Sequence, residues 1–227
     1  MTLRDPKSLP LVALGASLVL APLAYLVSTL VAPPLESDDR VQLAQMAGHP
    51  DRTYLFALFT VIGSILLLPA VLGIVRLLAD RAGWLGYLGA GLTGLGVLVA
   101  IGDSFGLFWD WQMAEGGNRA QMASLLHRFD AAAGVSILFT IGGFGIMLGC
   151  VLLGAALWRA DAVPRLAAAA LPVGAIANIV GFASNSRVVL DVSAAILLVA
   201  FLPVARRLVG RAEAPRAAAR RPLPGTP

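Results

Sequence analysis

The chain has 227 residues, 58% of them hydrophobic and 13% charged, with 17 basic residues against 13 acidic ones, and its mean hydropathy is +0.82. Soluble domains carry about 25% charged residues, so this composition excludes an ordinary soluble globule and indicates an integral membrane protein. A single cysteine, Cys150, excludes a disulfide framework or a thiolate metal cluster within one chain.

A bilayer core ~30 Å thick takes about 20 apolar residues per helix. Six segments meet that length, at 9–32, 53–79, 84–109, 131–158, 164–183 and 188–209. The expected fold class is therefore all-α: a polytopic bundle of six transmembrane helices forming one domain over residues 1–210. The first run, flanked by Lys7, exceeds the ~7–15-residue core of a cleavable signal and reads as a retained span.

Arg4, Lys7, Arg76, Arg81, Arg159, Arg165, Arg206, Arg207, Arg211, Arg216, Arg220 and Arg221 fall on one side of the spans. Arg40, Arg52, Arg119, Arg128 and Arg187 fall on the other. Cytoplasmic flanks retain positive charge, so both termini are expected in the cytoplasm. Every basic residue but Lys7 is arginine, a bias expected of a GC-rich bacterial genome and hence of a bacterial inner (cell) membrane.

Along the chain, the loop 33–52 is acidic, with Glu36, Asp38, Asp39, His49 and Asp51. The third span carries small residues at four-residue spacing, Gly86, Ala90 and Gly94, followed by Gly102 and Gly106, as the fourth carries Gly145 and Gly149. Such ridges let helix backbones approach in lipid, so these two spans are expected to form a tight pair and to offer a surface for a homo-oligomer. The third span ends in GDSFGLFWDWQMAEGG, where Asp103 and Asp110 are set among Phe105, Phe108, Trp109 and Trp111.

The next stretch, NRAQMASLLHRFDAAAG, is amphipathic: Asn118 is placed to cap it, Met122, Leu125, Leu126 and Phe129 recur at helical spacing, and His127 and Asp130 share a face. Asn178, Phe182 and Asn185 lie at the outer end of the fifth span. Asp191 lies one turn inside the sixth, with Arg187 four residues before it as an expected helix partner. Pro22, Pro69, Pro172 and Pro203 fall within spans, where each frees a carbonyl. A faint internal echo relates the turn and helix from Leu77 to those from Ala156. The tail 211–227, RAEAPRAAARRPLPGTP, has too little apolar content to pack, and is expected to be disordered and to touch anionic membrane lipid; its arginines do not by themselves indicate nucleic acid.

Polar groups thus gather in the outer half of the bundle and the cytoplasmic half is nearly featureless. The chain has no nucleotide loop, no HExxH and no GxSxG, and only His49 and His127 to offer a metal or haem, so no metal and no cofactor is expected. The absence of lysine from every span excludes a retinal Schiff base.

Intramembrane acids are functional candidates by default, and a carboxyl kept neutral in apolar surroundings can donate a proton. Aromatic faces stabilise a carbocation formed by such protonation, and a membrane cavity excludes the water that would quench it. This chemistry assigns Asp103, Asp191 and Asp110 as candidate catalytic acids. It assigns Phe105, Phe108, Trp109, Asn178, Phe182 and Asn185 to binding a lipophilic small-molecule substrate.

In HPDRTYLFALF and LLLPAVLGIVRLL the chain resembles small bacterial multi-helix membrane proteins. In size, composition and layout it resembles the membrane-bound terpene cyclases of meroterpenoid and indole-terpenoid pathways. That resemblance implies protonation-initiated cyclisation of an isoprenoid-derived substrate by intramembrane carboxylates, with Asp191 matching an acid of the last helix. The fungal cyclases are usually drawn with seven spans, against six here. Two other readings stay open on the same residues: a transporter or ion-conducting protein whose carboxylates carry protons or cations, and a non-catalytic membrane assembly subunit.

Overall fold

A computed structural model describes residues 9–79 and 83–219, and every element in those residues is a helix. They are α1 (Leu9–Val31), α2 (Asp39–Gly48), α3 (Pro50–Leu78), α4 (Gly83–Glu115), α5 (Arg119–Asp130), α6 (Ala133–Arg159), α7 (Arg165–Ala183) and α8 (Arg187–Ala219). Six of them, α1, α3, α4, α6, α7 and α8, are long and apolar enough to cross a membrane, as the sequence predicts. They pack as a closed ring in which α1 touches α3 and α8, α3 touches α4, α4 touches α6, α6 touches α7 and α7 touches α8.

The two ends of this ring differ. One, the turn end, is where α3 ends, α4 begins and the connection 160–164 lies, and its interior is solid hydrocarbon built on Leu18, Ile74, Leu77, Leu153, Leu171 and Leu208. The other, the capped end, is covered by α2 and α5. Leu43 and Met46 of α2 pack with Ala114 of α4 and Ala123 of α5 into a small second core.

Local chemistry explains these extra pieces. Asp38 caps α2 by accepting from the Arg40 and Val41 amides at 2.9 and 3.1 Å. Pro50 at the start of α3 ends α2, because it removes an amide and restricts His49. Asn118 caps α5 by accepting from the Gln121 amide at 3.2 Å. Its expected apolar stripe divides: Met122 and Leu126 pack inward, whereas Leu125 and Phe129 stay exposed.

Three boundaries depart from expectation. α4 continues past residue 109 to Glu115, since no Gly or Pro interrupts it before Gly116 and Gly117, so Asp110 belongs to the helix. The loop 33–52 contains α2. α8 continues to Ala219, through the first part of the segment read as a disordered tail, while residues 220–227 lie outside the described residues.

The α4–α6 pair is tight, and on α6 the expected Gly145 and Gly149 ridge faces it, whereas α4 meets it along another register than its four-residue series. A Cβ on Gly96 would lie 2.5 Å from the Gly142 carbonyl, and one on Gly89 2.9 Å from the Leu153 amide; Gly145 and Gly149 face the same seam. Gly94, Gly102 and Gly106 would meet nothing within 4 Å. The seam uses positions seven apart, 89 with 96 and 142 with 149, which is the spacing that keeps one face toward a near-parallel partner over several turns.

A cleft beyond the glycine seam

Gly89, Gly96, Asp103 and Asp110 follow one another at seven-residue steps, so they share one face of α4 within about 20° per step. The two glycines hold α6 in close contact. The two aspartates continue the same face beyond Gly142, where α6 leaves α4. Between Ala133 and Ile141 every residue of α6 is exposed except half-buried Val135. Close helix approach at the glycines thus gives way, beyond Gly142, to an uncovered face that we call the α4–α6 cleft. Exposed Asp103 and half-buried Asp110 lie on its α4 side, and on α6 Val135 and Leu138 precede Gly142 by seven and four residues, the spacing of one helix face.

Asp130, the last residue of α5, stands at the rim, close enough to Asp103 and Asp110 for like-charge repulsion. Its own carboxyl is pushed above the ordinary carboxylate range, first by burial and then by Asp39, with His127 pulling the other way. His127 does not pair with Asp130 as the shared face suggested; its Nδ1 lies 3.3 Å from Asp39 Oδ2, joining α5 to α2 across the cap.

Behind the cleft runs a buried hydroxyl chain that the sequence reading missed. Tyr25 Oη lies 2.6 Å from Ser64 Oγ, which lies 2.6 Å from Ser104 Oγ, and Ser104 donates to the Ala100 carbonyl at 2.6 Å. It links α1, α3 and α4 immediately beside Asp103. A tyrosine in mid-span and a serine adjoining the acid were its only sequence signals.

The other candidate residues go elsewhere. Asp191 of α8 accepts from Thr29 of α1 at 2.5 Å. Its expected partner Arg187 instead donates to the Leu30 carbonyl. Arg52 donates to the Val31 and Ala32 carbonyls at 3.1 and 3.2 Å, so two arginines satisfy the open C-terminal carbonyls of α1. Among the described residues, α4 makes no contact with α7 or α8, so Asp103 and Asp191 are not brought together.

The aromatic residues do not ring Asp103 either. Phe105 stands about 200° around α4 from it and Trp109 about 120°, and they are 48% and 72% exposed, on the outer surface of the bundle. Phe108 turns toward α3, where Tyr54 meets it edge-on at 5.7 Å and meets Trp111 at 5.2 Å. The Trp111 indole N–H is buried there without a partner.

On α7, Asn178 is half-buried and Phe182 exposed. Asn185, in the left-handed region at φ 48°, donates to Ser37 Oγ at 2.8 Å and ties the α7–α8 turn to the link between α1 and α2. Among the described residues, no group of three or more His, Cys, Asp or Glu side chains is arranged to hold a metal ion.

Compared with protein-family models, curated proteins and solved structures, the chain matches none. The cleft's own chemistry therefore carries the functional reading. It offers carboxyl groups against an apolar wall, within reach of both lipid and the capped end.

Proposed function

We propose that the protein is a bacterial inner-membrane acid catalyst, oriented with both termini in the cytoplasm, that takes a lipophilic substrate sideways from the bilayer into the α4–α6 cleft. There Asp103 donates a proton to it. Protonation-initiated cyclisation of an isoprenoid-derived substrate, as in the terpene cyclases the chain resembles, is the form of this reaction we favour. The observation supporting it is the seven-residue series in which two glycines seal α6 against α4 and two aspartates occupy the same face where α6 has departed.

Asp103 is preferred to Asp191 as the acid because Asp191 is already engaged by Thr29. The cyclisation ends when the carbocation loses a proton to form an alkene, so no net proton is consumed, and Asp110, two turns nearer the capped end, is assigned to passing a proton back to the Asp103 carboxylate. Incubation of the purified chain in lipid nanodiscs with prenylated substrates tests the proposal. Asp103→Asn should lower turnover by about 10²–10⁴-fold, the usual contribution of a general acid. Full turnover by Asp103→Asn sinks it.

The outward positions of Phe105 and Trp109 favour a second reading, since a carbocation in the cleft lacks the aromatic faces expected around it. On this reading the cleft binds a cationic or protonatable amphiphile, charge to Asp103 and Asp110 and apolar body to Val135 and Leu138, and the protein is a carrier. Asp103-dependent binding of a lipophilic amine with no product formed, together with its flux in proteoliposomes, separates the two readings.

A further inference from the structure

A second concavity lies at the opposite, turn end of the bundle, between α6 and α7, with a volume of about 350 Å³. Its floor is the place where the two helices touch. A Cβ on Gly154 would lie 2.8 Å from both the Ala168 carbonyl and Pro172 Cδ. Above that contact the lining side chains are short or set apart, with Val151 and Ala155 on α6 and Ala168 and Ala169 on α7, so a trough open to the bilayer remains. Apart from its mouth it is wholly apolar.

The mouth is basic. Arg159 is the last residue of α6 and Arg165 the first of α7. Arg159 lines the groove beside Trp158, and the Arg165 guanidinium carbon stands 5.7 Å from the centre of the Trp158 ring. That stacking holds the second guanidinium against Trp158, a lining residue of the groove.

The turn between the arginines is fixed. Asp161 adopts φ 46°, its carbonyl accepts from Arg207 of α8 at 3.3 Å, and Ala162 and Val163 are buried. The turn carries one acid, Asp161, against the two arginines. Among the described residues, neither arginine has a carboxylate within ion-pair distance.

A trough at hydrocarbon depth suits an acyl chain. Two guanidiniums beside an interfacial tryptophan suit a negatively charged headgroup, because tryptophan marks headgroup depth and basic pockets between spanning helices complement anionic lipid. We propose that the α6–α7 groove is a binding site for an anionic phospholipid, one acyl chain lying over Gly154 and the phosphate held between Arg159 and Arg165. A zwitterionic lipid would supply the chain but leave the two positive charges without a net counter-charge. The site is independent of the α4–α6 cleft, which lies at the other end of the bundle.

The test uses the full chain in phosphatidylcholine nanodiscs, with phosphatidylglycerol titrated in, reading the thermal midpoint and the lipids retained in native mass spectrometry. Phosphatidylglycerol should raise the midpoint saturably. Arg159→Gln with Arg165→Gln should weaken that effect by about 30-fold, since each basic residue near the membrane surface contributes about a fivefold preference for anionic lipid. Ala155→Trp, which fills the trough and leaves both arginines in place, should abolish it. The proposal is overturned if phosphatidylcholine is retained equally well, if the double arginine variant responds as wild type does, or if glycerol phosphate without acyl chains reproduces the shift.

Discussion

Thr29 Oγ1 of α1 donates to Asp191 Oδ1 of α8 at 2.5 Å, closing the ring of six spans at the point where its first and last helices meet. This contact gives Asp191 a structural role. The Thr29 hydroxyl has one proton and three acceptors within reach, since the Tyr25 and Leu26 carbonyls lie at 3.2 and 3.0 Å. Among the described residues, Thr29 is the side chain that donates to the carboxylate. Thr29→Val should therefore destabilise the bundle, by about 0.6–1.7 kcal/mol on the scale of interhelical hydrogen bonds in membranes. Asp191→Asn keeps an acceptor oxygen and should change stability by a few tenths of that. Reversible unfolding in mixed micelles measures both. In the substrate assay Asp191→Asn should stay active where Asp103→Asn does not; the reverse order would return the acid role to Asp191.

The seam between α4 and α6 makes a contrast testable within one helix. Gly96→Ala would press a methyl to 2.5 Å from the Gly142 carbonyl and 2.8 Å from the Ile146 amide, both backbone atoms that yield little. A loss of about 1–3 kcal/mol is expected, as for other overpacked contacts. Gly102→Ala, six residues on, meets nothing within 4 Å and relieves a helix-interior glycine, so it should gain up to about 1 kcal/mol. Equal destabilisation by both changes would mean that α6 stays against α4 over its whole length.

The sequence discloses the spans because a bilayer imposes about 20 apolar residues on each crossing helix, and α5 because Asn118 and the spacing from Met122 mark it. The common face of Asp103 and Asp110 also follows from their seven-residue separation. That α6 departs beyond Gly142 does not, since nothing local in Ala133–Ile141 distinguishes a packed from an unpacked stretch of apolar helix. Which glycines touch was equally hidden: four- and seven-residue series coexist in α4, and only the path of α6 selects between them. The Thr29–Asp191 contact joins residues 162 apart, so it becomes visible only once the ring closes. α2 was obscured by its shortness and the weak periodicity of Val41, Leu43 and Met46.

The hydroxyl chain behind the cleft predicts an order of effects. Tyr25→Phe removes one end, leaving Ser64 free to donate to Ser104 and Ser104 to the Ala100 carbonyl, so every remaining group stays satisfied. Ser64→Ala removes the middle and strands the Tyr25 hydroxyl, whose ring is held so close to Gly63 that a Cβ placed there would lie 3.0 Å from it. Leaving a buried polar group unpaired costs about 1–3 kcal/mol, more than losing a bond whose partners re-pair. Ser64→Ala should thus be the more destabilising change although each variant deletes a single oxygen. If Tyr25→Phe proves the worse, the Tyr25 hydroxyl is not left unpaired by Ser64→Ala, and stranded groups do not set the order.

The cap should respond to pH through Asp130. Burial and the nearby Asp39 raise its carboxyl above the ordinary range, while His127 opposes them; Asp103 and Asp110 face it from α4. A raised value in the folded chain means that the folded state binds this proton more tightly than the unfolded one. The linked stabilisation is then fully present below the unfolded carboxyl's value, and is lost as pH rises through the folded value. Hydrogen exchange of the α5 amides should accordingly quicken, after correction for the intrinsic rate, as pH is raised across the mildly acidic range. Asp130→Asn should flatten that dependence and protect α5 at neutral pH, whereas His127→Gln removes the side chain that opposes the rise of the Asp130 carboxyl and should steepen it. An α5 whose corrected exchange slows over the same rise in pH would overturn the assignment to Asp130, because stability that grows with pH requires a group that binds its proton less tightly in the folded chain than in the unfolded one.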